Sequence, residues 1–196
     1  KGFMGDIVFA DIIKQDSKDA LKALKKLGIA KTVMMTGDKE EIAKDIASKA
    51  GIDTVYSRLM PDEKANIVSE LQKNGNTVVY TGDGINDAPV LSQADVGVAM
   101  GGAGSDIAVE ASDMVIMGDS LSKLAIGKKV AKKTIRIVHE NIIFAIAVKL
   151  LIIIGCAIGI FDENAMWLAV FGDVGVCLIA IANSLRALRV GKIKNK

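Results

Sequence analysis

Thr77-Val78-Val79-Tyr80 runs directly into Thr81-Gly82-Asp83-Gly84-Ile85-Asn86-Asp87-Ala88-Pro89, and the reading of this stretch decides the fold. The apolar run reads as a strand. It ends in two aspartates, Asp83 and Asp87, four positions apart with glycines at 82 and 84. Glycine lets the backbone turn sharply at the carboxyl end of a strand, the edge where open α/β sheets bind ligands. Carboxylates placed there are hard oxygen ligands of the kind Mg²⁺ accepts beside water and phosphate oxygens. An acidic turn alone means little, but the whole string is far more specific.

Two shorter pieces stand upstream: Met35-Thr36-Gly37-Asp38, after the apolar Thr32-Val33-Met34, and Met60-Pro61-Asp62-Glu63-Lys64, which opens a predicted helix. Around them strand and helix signals alternate, which argues for one parallel, Rossmann-like sheet. Strands are predicted at Asp6–Ile13, Lys31–Met35, Val55–Tyr56, Thr77–Thr81, Asp95–Met100 and Asp113–Met117. Helices are predicted at Ser17–Leu27, capped by Asp16 or Ser17, and at Glu40–Ala50, Asp62–Lys73 and Ser105–Ala111. Gly101-Gly102-Ala103-Gly104-Ser105 lacks the Lys-Ser/Thr ending of a phosphate-cradling loop and reads as a glycine turn before a helix. Taken alone, Thr36-Gly37-Asp38 is most simply a strand-to-helix turn with Asp38 as N-cap, and Lys64 a solvated helix lysine.

The chain has 196 residues, 51% hydrophobic and 24% charged, and the two kinds are segregated along it. Up to about Met117 they intermix as in a soluble α/β domain; after Ile142 long apolar runs take over. A net charge of +2, with no interleaving of basic and aromatic residues, gives no ground for a nucleic-acid partner. Cys156 and Cys177 lie in the apolar runs and offer no disulfide framework.

In their order and spacing, the three motifs together resemble the hinge region of P-type ATPases, members of the haloacid dehalogenase-like phosphohydrolases. The resemblance implies a partial, Rossmann-like, haloacid dehalogenase-type phosphorylation domain at 1–120, with ATP as substrate and Mg²⁺ as cofactor. It gives Thr36, within the Thr36-Gly37-Asp38 motif, the task of donating a hydroxyl to a phosphoryl oxygen. Lys64 supplies a fixed ammonium, Asp83 holds Mg²⁺, and Asn86 and Asp87 orient the loop or complete the coordination shell. The family's nucleophile stands in an Asp-Lys-Thr-Gly-Thr string that this chain lacks. The nucleotide-binding domain, the actuator domain and the earlier membrane helices are missing as well. The expectation is the C-terminal part of such a protein, unable to form a phosphoenzyme alone and partnered by the remaining domains of the same polypeptide.

Ile142–Phe161 and Met166–Leu185 each have the length and apolarity of a membrane span, giving an all-α helical hairpin over 142–188. Asp162-Glu163-Asn164 lies between them, with Trp167 as an interfacial anchor. Lys128, Lys129, Lys132, Lys133 and Arg136 precede the first span; Arg186, Arg189, Lys192, Lys194 and Lys196 follow the second. Both flanks are basic, so both ends are expected in the cytoplasm of a multi-pass protein in the cell membrane, with a basic tail at 189–196. Residues 121–141, with Leu124, Val130, Ile135 and Val138 among lysines, read as a helical stalk carrying phosphate-site changes to the hairpin. His139 in that stalk is a surface or interfacial side chain.

Each span carries one charge, Lys149 in the first and Asp173 in the second. A charge within a span costs about 2.5–3.5 kcal/mol on insertion scales, so it has a partner or a task. Counted from opposite membrane faces at about 1.5 Å per residue, the two lie roughly 9 Å apart in depth. Either they form an ion pair that locks the hairpin, or Asp173 is an oxygen ligand for a transported cation with Lys149 as counter-charge. Lys149 and Asp173-Val174-Gly175 resemble the zinc/cadmium/lead branch of the heavy-metal (type IB) P-type ATPases, as does Asn183-Ser184-Leu185-Arg186. That implies export of Zn²⁺, Cd²⁺ or Pb²⁺, with soft ligands from a Cys-Pro-Cys string upstream. Cys177, four residues after Asp173, faces the metal path or simply packs. The rival expectations are a pump for Cu⁺ or Co²⁺, a membrane-tethered module of the same fold that does not transport, and a soluble phosphatase of the fold.

Overall fold

Short strands and amphipathic helices alternate from Gln15 to Ile116 in the computed structural model, which describes residues 13–82, 85–101, 106–118, 120–160 and 165–188. The chain divides into two units, 1–125 and 126–196. In the first, the order is α1 (Gln15–Lys26), β1 (Val33–Met35), α2 (Glu40–Ala50), β2 (Thr54–Tyr56), α3 (Pro61–Lys73), β3 (Val79–Gly82), α4 (Ala88–Gln93), β4 (Val96–Met100), α5 (Asp106–Glu110) and β5 (Met114–Ile116). All strand pairs are parallel, as expected of a Rossmann-like domain with helical crossovers. Where the sequence reads as one parallel sheet, the described residues form two sets of paired strands, β1–β2 and β3–β4–β5. Among the described residues β1 pairs only with β2 and β3 only with β4, so no strand bridges the two sheets. Apart from Ile13, the strand predicted at 6–13 lies outside the described residues.

One device recurs along both sheets. An aspartate just before a strand accepts a backbone N–H from the start of the neighbouring strand. Asp53 before β2 takes Thr32 N–H at 2.8 Å, Asp95 before β4 takes Val78 N–H at 2.7 Å, and Asp113 before β5 takes Gly97 N–H at 2.8 Å. Each bond satisfies a donor at the ladder's end and fixes register. Asp53 also accepts the Thr32 hydroxyl at 2.7 Å and the Lys25 ammonium at 2.6 Å. The ammonium first, then the Thr32 donors, hold its carboxyl well below the usual carboxylate range.

The core lies between β3, β4 and the helices beside them: Val68, Tyr80, Val90, Leu91, Ala99 and Ala108 are buried together, with Met35 packed against them. Gly97 is required here, because a Cβ would sit 2.3 Å from the Leu91 carbonyl oxygen. The cap predicted for α1 is not formed. Lys14 is the N-cap and makes no side-chain bond, while Asp16 accepts the Ser120 hydroxyl at 2.5 Å. The helix α4 was missed in the sequence because its residues, Ala88-Pro89-Val90-Leu91-Ser92-Gln93, make less than two turns and show no helical period.

In the second part of the chain, Ser122–Ala157 is one unbroken helix, α6, so the stalk residues from 122 onward and the first apolar span share a helix. The second span is not a plain α-helix. It runs as α7 (Ala165–Val170), a π-helical turn (Phe171–Gly175), α8 (Val176–Ser184) and a 3₁₀ turn (Leu185–Leu188). Both spans are long and apolar enough to cross a membrane, and almost none of their residues are buried within the chain. Leaving so many isoleucines and leucines in water would cost about 1.5–3 kcal/mol for each, so lipid or further helices must cover them.

Candidate functional site

The carboxyl ends of β1 and β3 carry the polar residues singled out in the sequence. Thr36 follows β1; its N–H donates to the Tyr56 carbonyl at 3.0 Å, and its own carbonyl accepts Leu59 N–H at 3.0 Å. The Thr36 hydroxyl donates to Asp38 Oδ2 at 2.7 Å and accepts Asp38 N–H at 3.1 Å, closing the turn around Gly37. Asp38 is not the N-cap of α2, since that position is Lys39 and its side chain makes no capping bond. Arg58, with φ of 56°, donates its N–H to the Asp38 carbonyl at 2.9 Å and holds the turn from the other side.

Lys64 stands in the first turn of α3, where Glu63 accepts Met60 N–H at 2.7 Å and Pro61 sets the helical φ. It is not the solvated lysine its isolated position allows. Its ammonium lies 2.8 Å from Asp87 Oδ1, with side chains only 18% and 12% exposed. Asp87 closes a 3₁₀ turn (Ile85–Asp87) and begins α4. Its Oδ1 accepts a second bond, 2.9 Å from the Tyr80 hydroxyl. Its Oδ2 lies against Gly82, where a Cβ would approach to 2.7 Å. The lack of a side chain at 82 is what admits this carboxylate. Asn86 is exposed, and Asp83 and Gly84 lie outside the described residues.

The structure thus brings Lys64 and Asp87 together and ties Thr36 to Asp38. Among the described residues no hydrogen bond joins the two pairs. Sequence reasoning missed Tyr80. Its signal was present, since a tyrosine at a buried strand position needs a partner for its hydroxyl.

On the hairpin, Lys149 Nζ lies 2.8 Å from Asp173 Oδ1. The depth offset estimated from the sequence is much smaller in the structure, because the helices are aligned by a contact the sequence did not reveal. Asn183 Nδ2 donates to Asn141 Oδ1 at 2.8 Å, and Asn141 Nδ2 donates to Ser184 Oγ at 3.1 Å and the Ala180 carbonyl at 3.2 Å. Arg186 joins Asn183 Oδ1 at 2.6 Å to Glu140 at 2.9 Å. From this network Lys149 is eight residues along one helix and Asp173 ten along the other. At about 1.5 Å per residue that leaves roughly 3 Å, well within a lysine's reach.

Asp173 sits inside the π-turn, a feature frequent at functional sites. Gly172 allows a close approach there, since a Cβ would lie 2.7 Å from Ile152 Cδ1 on α6. Cys177 and Cys156 are both exposed thiols. Among the described residues no group of three or more His, Cys, Asp or Glu converges to hold a metal. His139 turns back on its own helix, its Nδ1 2.8 Å from the Ile135 carbonyl.

Comparison with known proteins agrees with this architecture. Residues 3–95 match the haloacid dehalogenase-like hydrolase family. The chain is 46% identical over 197 residues to a cadmium, zinc and cobalt-transporting ATPase of Bacillus subtilis, covering 99% of this chain and 27% of that protein. It is 46% identical over 184 residues to a zinc-transporting ATPase of Synechocystis, covering 93% and 25%. A crystal structure of a zinc-transporting PIB-type ATPase superposes with a TM-score of 0.82 at 33% identity, over 91% of this chain and 28% of that one. The chain therefore spans about a quarter of the length of the relatives it matches. A haloacid dehalogenase-like domain, two membrane-length helices and similarity along nearly the whole chain liken it to the heavy-metal-transporting, PIB-type P-type ATPases.

Proposed function

We propose that this chain is the C-terminal part of an ATP-driven exporter of Zn²⁺, Cd²⁺ or Pb²⁺ lying in the cell membrane with both ends of the segment in the cytoplasm. The observation that carries the reading is the Lys149–Asp173 pair, a carboxylate in a π-turn and an ammonium 2.8 Å away, on two helices that are otherwise apolar along this stretch. Charges so placed are costly and mark ion pathways. Asp173 is the oxygen ligand for the transported cation. Lys149 occupies the carboxylate in the cation's absence and turns aside when metal binds. Cys177 is a further ligand only if the π-turn leaves it on the face of Asp173. The softer ligands such metals favour come from helices outside this chain.

At the other site, the intact protein transfers the γ-phosphoryl group of ATP to an aspartate outside this chain, and water later releases phosphate from it. Lys64 supplies positive charge to the phosphoryl oxygens, steadied by Asp87. Thr36 can give its single hydroxyl proton to a phosphoryl oxygen only by leaving Asp38, so Asp38 keeps that hydroxyl oriented until substrate arrives. Gly37 keeps the turn free of a side chain that would crowd the phosphoryl group. The oxygen-only donors of this loop fit Mg²⁺: Asp83 and the Oδ2 edge of Asp87 would hold it, Asn86 orienting the loop, and it would neutralise phosphoryl charge.

The test is ATP hydrolysis by the full-length protein across Zn²⁺, Cd²⁺, Pb²⁺, Cu⁺ and Co²⁺ with Mg²⁺ present, in wild type and Asp173→Ala. Stimulation by the first three, lost in the variant, is expected. Stimulation by Co²⁺ would instead favour the second reading, a cobalt pump, which similarity to the cadmium, zinc and cobalt-transporting ATPase of Bacillus subtilis supports. No stimulation by any metal would overturn transport.

A further inference from the structure

Tyr80 is buried, yet its hydroxyl reaches the same oxygen of Asp87 that receives the Lys64 ammonium, at 2.9 Å and 2.8 Å respectively. We infer that Tyr80 is a positioning residue for phosphoryl transfer, locking the Asp87 carboxylate so that Lys64 is held at one place and Oδ2 at another. The inference rests on the phosphoryl-transfer reading above.

The three residues come from three elements. Lys64 is on α3, Tyr80 on β3, and Asp87 at the start of α4. A lone lysine–carboxylate pair is a poor locator, because the ammonium is a point charge on a flexible four-carbon stem and the carboxylate rotates about its own χ2. The phenol differs in kind. Its ring is packed with Val68, Val90, Leu91, Ala99 and Ala108, so the core and not the site dictates where the hydroxyl stands. A donor fixed from behind and aimed at Oδ1 holds the carboxylate plane. Oδ2 is then pressed toward Gly82, whose next neighbour in the chain is Asp83. The tyrosine thus transmits the rigidity of the core to both working edges of Asp87, the arrangement a precise polar site needs.

Tyr80→Phe removes the hydroxyl and leaves the ring in the core. In the full-length protein we expect kcat for metal-stimulated ATP hydrolysis to fall about ten-fold, the equivalent of one charge-assisted hydrogen bond, and half-saturating Mg²⁺ to rise several-fold. KM for ATP should stay within two-fold and the melting temperature within a few degrees. Wild-type values of kcat and Mg²⁺ midpoint in the variant would overturn the inference. So would a loss of activity that simply follows a lowered melting temperature, since that is what packing alone would give. A wild type with no metal-stimulated hydrolysis would remove the transport reading and this inference with it; an active wild type matched by its variant removes the inference alone.

Discussion

Gly97→Ala should damage the candidate phosphate site without touching it. The added methyl would stand 2.3 Å from the Leu91 carbonyl oxygen, 2.9 Å from its carbon and 3.2 Å from its Cα, where ordinary contact begins at 3.4 Å. All three atoms are backbone, so no side chain can swing away. To clear the methyl, α4 must retreat by about 1 Å from β4, in a core already packed to interior density. Val90 and Leu91 are fully buried on the retreating helix, and their contacts with the sheet are what the shift loosens. Overpacking of this kind costs about 1–3 kcal/mol, and a backbone obstacle puts this case at the upper end. For a domain of this size that corresponds to a melting temperature lower by roughly 5–10 °C.

The consequence for chemistry follows from where α4 begins. Asp87 is its N-cap, so the helix cannot move by about 1 Å and leave the 2.8 Å contact with Lys64 unchanged. ATP hydrolysis by the full-length protein should therefore fall at least ten-fold at temperatures where the variant is still folded. Gly75→Ala is the control: Gly75 has φ of 80° with nothing within 4 Å of a Cβ, so alanine there costs about 1 kcal/mol in backbone strain alone. It should lower the melting temperature a little and leave hydrolysis unchanged. Thermal melts and steady-state rates on the two variants decide the matter. A Gly97→Ala protein that melts and turns over like wild type would refute the close approach of β4 to α4.

Asp53→Asn should flatten the acid limb of stability. A carboxyl whose folded pKa is depressed contributes stability that is present above its unfolded value near about 4 and is lost as pH falls through the folded value, so variant and wild-type melting temperatures should differ at pH 7 and converge as pH drops below about 4. Asn141→Ala removes three interhelical hydrogen bonds, but Ala180 O keeps the Ser184 hydroxyl and Asn183 Oδ1 keeps Arg186. The cost should be about 1–2 kcal/mol and not three full bonds, read as a lowered melting temperature in detergent and as less than additive loss in Asn141→Ala/Asn183→Ala.

Most of the fold was legible because the first half of the chain obeys local rules. Glu40–Ala50 fell on its predicted bounds, and β1, β3, β4 and β5 lay within one or two residues of theirs. What failed was information that lies between elements. No local pattern in β1 or β3 reports its neighbour, so the grouping into β1–β2 and β3–β4–β5 among the described residues could not be read from either strand. The cap of α1 failed because Asp16 found a better partner in Ser120, more than a hundred residues away. The Lys64–Asp87 contact has the same character: each residue was picked out by its motif, but only tertiary structure pairs them across 23 positions. Tyr80 was overlooked because an aromatic in a strand reads as packing, and its hydroxyl matters only because Asp87, seven positions on, lies beside it.

The hairpin carries the same lesson into the membrane segment. Measured from the ends of two hydropathy windows, Lys149 and Asp173 stand too far apart in depth for an easy bond. Apolar windows have soft ends, whereas an amide pair has a fixed one, and the Asn141–Asn183 bond sets the true register. A second correction comes from the backbone itself. In the π-turn a further residue is wound into each turn, which turns the Asp173 side of the helix by a fraction of a turn relative to α8. Gly172 then lets the turn close on Ile152, and Gly175 leaves room for the Phe171 ring, 2.8 Å from where its Cβ would be. Glycines at 172 and 175 bracket the aspartate for a steric reason: a side chain at either would push the second helix off α6 or unwind the turn. The Lys149–Asp173 contact is therefore a product of backbone geometry more than of lysine length. It follows that shortening the lysine's reach should disturb the pair less than adding a methyl group at Gly172, which directly precedes Asp173 and would meet Ile152 Cδ1 at 2.7 Å.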